Sequence, residues 1–274
     1  MTRVCGLCRV VVVSVCAAYC GMCLAGDGGE VIRPRVAVLE CHDRSEYVGH
    51  MLGRRVAAAL HRALQTTDRW QCLELSAVRR ACEEMQVEPP FAVGYQQALA
   101  HRLGADVVVA GRIEGVAVNA LEGTVTVRLI LDFVDRIGGQ SMMALEAVGS
   151  SRRSAGGPRP TDIIVSEALA DACRAVAELA DTVPAYTGQV VAVSAKELSI
   201  QSASDVPVTT GDRLLLYRVV GGEQPSAKLI GVLMVKNVEG AQVKATVLAR
   251  DGDIYTGDVA VCVGPAHPGV KATH

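Results

Sequence analysis

Aromatic residues are scarce in this 274-residue chain, which holds one Trp, two Phe and six Tyr, or 3% in total. Half of the residues are nevertheless apolar, so we expect a core of Val, Ala, Leu and Ile. This composition is typical of a globular protein and excludes a disordered one. The scarcity also argues against a transmembrane β-pore, because such a pore needs girdles of aromatic residues at both membrane interfaces.

Motifs for catalysis and metal binding are missing as well. The sequence has no G-x-x-x-x-G-K-[ST] phosphate loop, no H-E-x-x-H zinc helix and no G-x-S-x-G nucleophile elbow. Segment 251–258 is rich in Asp and Gly, but an EF-hand loop would need Gly and Glu where Thr256 and Cys262 stand. We therefore predict no catalytic residue, no cofactor and no metal site, and a protein that is not an enzyme.

Neither sign of charge dominates, since 27 basic residues face 29 acidic ones. Arg3 and Arg9 belong to a segment that we expect to be removed. Without them, 25 basic residues remain, and the net charge is −4. This balance does not predict an electrostatic nucleic-acid binder.

The first 25 residues have the features of a secretory signal peptide. Arg3 and Arg9 precede an apolar stretch at 10–25, which is too short to span a bilayer comfortably. Small residues at Cys23 and Ala25 predict cleavage after Ala25. The sequence thus predicts a periplasmic or secreted protein. An outer-membrane lipoprotein, lipidated on Cys20 or Cys23, is the alternative, and membrane association stays open although no span is predicted.

Five of the ten cysteines fall in this predicted signal peptide. An odd number of widely spaced cysteines remains, which does not describe a disulfide framework. Apolar runs contain Cys72, Cys173 and Cys262, so we interpret these three as buried free thiols, with a disulfide as the open alternative. The cysteines that remain are Cys41, Cys72, Cys82, Cys173 and Cys262.

The rest of the sequence predicts an α+β protein of two domains. Residues 33–184 are expected to form a three-layer-like α/β domain, with a mixed, mostly antiparallel sheet packed by helices. Apolar residues at helical spacing predict helices within 47–67, 91–105 and 161–181, and strict alternation at 124–135 predicts a strand with one buried face.

Details of this first domain can also be predicted. Ser76 and Thr161 are placed to cap their helices, and Gly104 is placed to end one. His50 and His61 fall on a similar helix face that carries basic residues, so we interpret them as part of a solvated surface. Residues 150–160 are expected to form a polar loop.

From Tyr186 onward, short apolar runs alternate with Gly, Asp and Ser turns. This pattern predicts a small all-β barrel or sandwich at 186–264, followed by a flexible tail at 265–274. The strands are expected at 189–193, 197–200, 213–220, 229–235, 242–248 and 259–263.

One short phrase recurs in this second domain. Thr-Gly occurs at Thr187-Gly188, and Thr-Gly-Asp occurs at Thr210-Gly211-Asp212 and Thr256-Gly257-Asp258. Gly supplies the backbone conformations of tight turns, and Asp accepts local backbone hydrogen bonds. We interpret Gly188, Gly211, Asp212, Gly257 and Asp258 as structural turn residues, whose spacing of 23 and then 46 residues hints at an internal duplication.

The phrase A-x-x-L-G-A-D-V-V-V-A-G-R-I at 100–113, within this order of elements, resembles the periplasmic α/β domain of the curli-secretion protein CsgG. It is also similar to the N-terminal domain of TolB and to the penicillin-binding-protein activator LpoB. Segment 187–219, with V-x-x-G-D-x-L-x-L-x-R at 208–218, resembles the C-terminal domain of the flagellar assembly protein FlgT. Together these resemblances cover residues 35–264.

The resemblances imply a non-catalytic secreted envelope protein. It would act in the assembly or stabilisation of a cell-envelope machine, flagellar or outer-membrane, through contacts with other envelope proteins or with further copies of itself. The alternatives are a ring-forming channel subunit of the CsgG type and a soluble module that binds a small ligand such as a glycan or nucleotide.

Overall fold

The computed structural model of the chain describes residues 32–47, 51–119, 121–152, 160–194, 197–221, 226–264 and 270–272. The predicted signal peptide lies outside the described residues. From residue 33 onward the described chain belongs to one unit. It contains a mixed sheet with helices and a separate closed barrel, so the fold is α+β, as predicted.

The helices are α1 (Leu52–Gln65), α2 (Leu75–Met85), α3 (Val93–Leu103) and α4 (Thr161–Asp181). The first sheet contains β1 (Arg35–Val38), β2 (His42–Asp43), β3 (Gln71–Cys72), β4 (Val107–Asn119), β5 (Thr124–Asp135) and β6 (Ser141–Arg152). The barrel contains β7 (Thr187–Val193), β8 (Glu197–Ser202), β9 (Arg213–Val220), β10 (Ser226–Glu239), β11 (Gln242–Arg250) and β12 (Val259–Gly264). The last strand, β13 (Val270–Ala272), returns to the first sheet.

The first sheet has the order β13-β6-β5-β4-β1-β3, with β2 alongside β4. Its long β4–β5 and β5–β6 ladders are antiparallel, whereas β1 is parallel to both β3 and β4. On one face, Ala37, Leu39 and Val108 form a core with α2 and α3. Because side chains alternate along a strand, Val36 and Val38 face the opposite side, where α1 and α4 pack together. The predicted three-layer arrangement is therefore present.

The periodicity of the sequence explains these elements. Leu52, Val56, Leu60 and Leu64 recur every four residues and are buried on α1. α3 ends where Gly104 adopts a φ of 62°, a left-handed conformation that closes the helix as predicted.

Several predicted boundaries are wrong. Neither predicted cap residue caps its helix, because α2 begins at Leu75 after Glu74, and α4 includes Thr161 after Pro160. The strand before the predicted polar loop at 150–160 is longer than expected, since β6 continues through Arg152 by pairing with β5. The predicted flexible tail includes Val270–Ala272, which pair in parallel with β6 as β13.

Residues 187–264 close into a six-stranded barrel in the order β10-β11-β8-β7-β12-β9. All of its ladders are antiparallel. Closure pairs every strand on both sides, which leaves little exposed sheet edge. Of the two predicted forms, barrel or sandwich, the structure has the barrel.

The barrel consists of two copies of a three-stranded unit, in which β7, β8 and β9 correspond to β10, β11 and β12. Val190 pairs with Ile200 in the first copy, and Val235 pairs with Ala245, an offset of 45 residues, in the second. The register becomes irregular directly after both pairs. The two hairpins thus share their bulge as well as their pairing.

The ladders between the two copies obey the same relation. Leu198 pairs with Ala245, and Ile200 pairs with Val243. Adding the 45-residue offset to Leu198 gives Val243, and subtracting it from Ala245 gives Ile200, so the two pairs are equivalent. In the same way, the pair of Gly188 with Ala260 corresponds to the pair of Leu233 with Leu214. The offset is 45 residues from Gly188 to Leu233 and 46 residues from Leu214 to Ala260. An approximate two-fold axis therefore relates the copies. The 46-residue spacing of Thr-Gly-Asp reflects this duplication, whereas Gly188 corresponds to Leu233 and lies outside the motif.

The barrel packs on the first sheet through buried polar contacts. The Tyr217 hydroxyl donates to Asp106 Oδ2 at 3.2 Å, and the Arg35 backbone N–H donates to the same oxygen at 2.9 Å. Burial raises the pKa of the Asp106 carboxyl and of the Tyr217 hydroxyl. The Arg69 guanidinium donates to the carbonyls of Pro184 and Cys262 at 3.3 and 3.4 Å. The two sheets are thereby fixed to each other.

Candidate functional site

The first Thr-Gly-Asp turn is held by hydrogen bonds within the barrel. The Thr209 backbone N–H donates to Asp212 Oδ2 at 2.7 Å. Gly211 has a φ of 96° and donates its N–H to the Val235 carbonyl at 2.8 Å, while Val235 N–H donates to the Asp212 carbonyl at 2.9 Å. Asp212 is buried, so its carboxylate serves the turn and does not face solvent.

The second turn repeats these bonds across the two-fold axis. The Tyr255 N–H donates to Asp258 Oδ2 at 2.8 Å. Gly257, with a φ of 98°, donates to the Val190 carbonyl at 2.8 Å, and Val190 N–H donates to the Asp258 carbonyl at 2.8 Å. Each turn thus anchors a strand of the other copy. These bonds within the barrel occupy the turn N–H groups and the Asp212 and Asp258 carboxylates, which could otherwise bind a ligand.

Gly188 is different from the other two glycines and is not a turn residue. It lies within β7, pairs with Ala260 and is buried. A Cβ at this position would overlap the Tyr186 hydroxyl and the Ile200 methyl group. Glycine is needed here because the buried Tyr186 ring occupies the space of a side chain.

Arg218, which the sequence analysis did not single out, forms a clamp beside the second turn. Its Nε and Nη2 donate to Asp258 Oδ1 and Oδ2 at 3.0 and 2.9 Å, and Nη2 also donates to the Asp253 carbonyl at 2.7 Å. The hydrogen bonds to Asp258 raise the pKa of the Arg218 guanidinium. Its carbon Cζ lies 4.6 Å from the centre of the Tyr255 ring, which places a cation against an aromatic face.

The clamp borders a depression on the barrel surface, which we call the barrel groove. It lies between the β7–β8 hairpin, the end of β11 and the loop at 251–255, and has a volume of about 660 Å³. Its lining includes Val193, Leu198, Val247, Arg250, Ile254 and Tyr255. Tyr255 is 56% exposed and Val193 is 46% exposed, so two large apolar side chains meet solvent here.

The end of β11 is an open strand edge along this groove. β11 pairs with β8 from Gln242 to Thr246 and continues to Arg250 beside β10. In the described part of the barrel, no strand pairs with residues 247–250 on their other side. Backbone donors and acceptors of a strand edge are free to pair with another chain.

The predicted solvated histidine pair is wrong for His61, and His50 lies outside the described residues. His61 is buried on α1, and its Nε2 lies 3.1 Å from the Leu73 carbonyl, to which it donates. The position four residues after the buried Ala57 turns this side chain toward β3. Helical spacing alone did not reveal this contact.

The five described cysteines are free. Burial raises the pKa of the Cys173 and Cys262 thiols to about 12, and that of the half-buried Cys72 and Cys82 thiols to about 11. Cys41 is also buried. Cys173 and Cys262 are therefore buried free thiols as predicted, whereas Cys72 is free but only half-buried.

Two further features concern only the described ranges. No group of three or more His, Cys, Asp or Glu side chains there could hold a metal ion. No helix there is long and apolar enough to cross a membrane.

Comparisons with known proteins give distant similarities. No family model and no curated protein matches the chain. Among solved structures, the lipoprotein GNA1162 of Neisseria meningitidis is 15% identical over 54% of this chain and 98% of its own, with a TM-score of 0.36. The LpoB C-terminal domain of Salmonella enterica is 14% identical over 47% and 90%, with a TM-score of 0.33.

A PelC dodecamer from Paraburkholderia phytofirmans is 14% identical over 53% of this chain and 86% of its own, with a TM-score of 0.36. At such identities and TM-scores, these similarities assign neither a family nor a function to this chain. LpoB occurs among both the predicted resemblances and the similar structures. The resemblances to CsgG, TolB and FlgT stay predictions.

Proposed function

We propose that this chain is a non-catalytic, exported protein of the cell envelope that works through contacts with other envelope proteins. Its role would be to assemble or stabilise a flagellar or outer-membrane machine. The barrel groove supports this proposal most directly, because it combines a fixed, half-exposed Tyr255 with the open edge of β11.

Tyr255 is suited to be an anchor for a partner. The guanidinium of Arg218 lies against its ring, and that guanidinium is itself held by Asp258. A side chain that is already ordered loses little conformational entropy when a partner binds. Tyr and Arg are also the residue types that most often dominate the energy of protein interfaces.

The open edge of β11 specifies what kind of partner segment fits. An extended segment can pair its backbone with residues 247–250, and its alternate side chains then reach the apolar lining of the groove. Arg250 at the end of this edge is exposed and forms no ion pair within the described residues. The best-fitting segment is therefore extended, with alternating apolar residues and an acidic residue opposite Arg250.

The duplication of the barrel strengthens this reasoning. With the offset of 45 residues, the counterparts of Val247 and Arg250 are Ser202 and Asp205. With the offset of 46 residues, the counterpart of Tyr255 is Thr209. Both copies build the same barrel, so an aromatic side chain at this position is not required for folding. The other copy exposes Val206 in the equivalent loop but has no counterpart of the Tyr255 ring, which favours a role for Tyr255 in binding.

A site-specific photo-crosslinker tests this proposal in the native host. We expect p-benzoylphenylalanine in place of Tyr255 to crosslink one discrete envelope protein, within an extended segment that peptide mass spectrometry identifies. The matched control carries the crosslinker in place of Val206, which is 40% exposed in the equivalent loop of the other copy. Equal products from both positions, or none from Tyr255, would contradict the proposal.

A further inference from the structure

A cleft in the first sheet lies far along the chain from the barrel groove and is used by neither the turns nor the clamp. Along the chain, β1 leads through α1 to β3 on one side of it, and β3 leads through α2 and α3 to β4 on the other side. The chain thus changes direction at β1. In open α/β sheets, the crevice beyond the carboxyl end of such a strand is the usual place for a ligand.

The cleft lies at this position and has the size of a ligand site. It extends from Val38 and Glu40, at the end of β1, between α1 and α2 to the segment at 87–91. Its volume is about 710 Å³, which is within the range of small-molecule pockets. Its inner surface is apolar, formed by the buried side chains of Val38, Ala57, Val78 and Val87.

Two arginines converge on one carboxylate at the wall of the cleft. Arg54 Nε lies 2.9 Å from Glu40 Oε1, and Arg79 Nε lies 3.8 Å from the same oxygen. Gly53 sets this position, because a Cβ there would overlap the Cys41 carbonyl and push the start of α1 away from β1. Arg54 and Arg79 thus face each other across the cleft from α1 and α2.

Glu83 and Glu88 also line the cleft, but neither forms an ion pair with Arg54 or Arg79 within the described residues. The single carboxylate of Glu40 does not saturate two guanidinium groups, which together have ten N–H donors. Within the described residues, the only partner of Arg54 besides Glu40 is the Met51 sulfur, and Arg79 forms no bond except that to Glu40. The remaining donors of both side chains, which are 47% and 43% exposed, are available to a ligand. Guanidinium forks match the geometry of carboxylate and phosphate groups.

We propose that this cleft binds a small molecule with an anionic head group and an apolar body. The head group, a carboxylate or a phosphate, would take donors from Arg54 and Arg79 in competition with Glu40. The apolar body would cover Val78 and Val87. This binding goes beyond the proposed protein contacts and involves no residue of the barrel groove.

Calorimetric titration of the full chain with phenylacetate, phenyl phosphate and uncharged benzyl alcohol tests the proposal. We expect at least one anion to bind with a Kd of about 1 mM or lower, and benzyl alcohol to bind at least about tenfold more weakly. Binding by phenylacetate alone assigns a carboxylate, and binding by phenyl phosphate alone assigns a phosphate. Failure of both anions, or equal binding of benzyl alcohol, overturns the proposal.

Neighbouring residues on α2 provide a matched control. We expect Arg79→Gln to weaken binding of the anion about tenfold or more, whereas Arg80→Gln, an exposed neighbour outside the lining, leaves it unchanged. Glu40→Gln removes the competing carboxylate and is expected to tighten binding. Equal affinities for the Arg79 and Arg80 variants, or weaker binding after Glu40→Gln, would overturn the assignment of the head-group site.

Two thiols locate the binding without any substitution. Cys82 lines the cleft and Cys72 does not, although both are half-buried with a pKa raised to about 11 by burial. We expect the bound anion to slow the reaction of Cys82 with N-ethylmaleimide several-fold and to leave Cys72 unaffected. Peptide mass spectrometry separates the two sites. Equal rates at Cys82 with and without the anion would place binding elsewhere and reject the cleft.

Discussion

At the scale of single residues, the barrel shows two uses of glycine. Gly211 and Gly257 adopt positive φ values that other residues resist, and they stand in turns. Gly188 has ordinary strand geometry, but the Tyr186 ring occupies the place of its side chain. The sequence shows the same Thr-Gly pair in all three places, and only the packing distinguishes them.

The packing around Gly188 leads to a prediction about stability. We expect Gly188→Ala to lower the free energy of unfolding by about 1–3 kcal/mol, because the new methyl group must displace the buried Tyr186 or Ile200 side chains. Gly94→Ala is the matched control. Gly94 is exposed in α3 with nothing near its missing Cβ, so this change is expected to stabilise the helix by about 0.5 kcal/mol. Urea denaturation measures both, and equal effects would contradict the packing explanation.

At the scale of secondary-structure elements, the spacing of apolar residues along the chain predicted the strands and helices that bury one face. Alternation predicted β5 because one of its faces is buried by helices, and four-residue spacing predicted α1. Residue-level features that depend on distant contacts were missed. Arg218 and Asp258 are 40 residues apart in the chain, and the His61 acceptor lies on a loop beyond the helix. No spacing in the sequence indicates such pairs.

The second Thr-Gly-Asp turn yields a prediction for this element. Asp258→Ala removes the acceptor of the Tyr255 N–H and is expected to cost about 1–3 kcal/mol of unfolding free energy, because the buried Asp258 carboxylate accepts from both this N–H and the Arg218 guanidinium. Asp253→Ala, in the same loop, removes an exposed carboxylate and keeps the carbonyl that Arg218 uses. We expect that control to stay within about 0.5 kcal/mol of the parent. Similar losses for both variants would show that the turn does not depend on Asp258.

At the scale of the whole molecule, two sheets share one buried junction. Tyr217 of the barrel donates to Asp106, and the Arg136 guanidinium donates to the Leu229 carbonyl at 3.3 Å. Arg69, which lies between α1 and β3, donates to the Cys262 carbonyl. Buried polar groups that lose such partners are costly, so separating the barrel from the first sheet is unfavourable. The two parts are therefore expected to unfold as one.

The single Trp of the chain allows a test of this coupling. Trp70 directly precedes β3 and is buried against Phe133 of β5, with the two ring centres 5.7 Å apart, so its fluorescence reports the first sheet and not the barrel. We expect Gly188→Ala, which acts within the barrel, to shift the Trp70 unfolding midpoint in urea as far as the midpoint measured by far-UV circular dichroism. A change at one end of a cooperative unit lowers the stability of the whole unit. If the Trp70 midpoint instead stayed at the parental value while the circular dichroism curve split into two transitions, the Tyr217–Asp106 junction would be too weak to couple the two sheets, and the barrel would unfold independently.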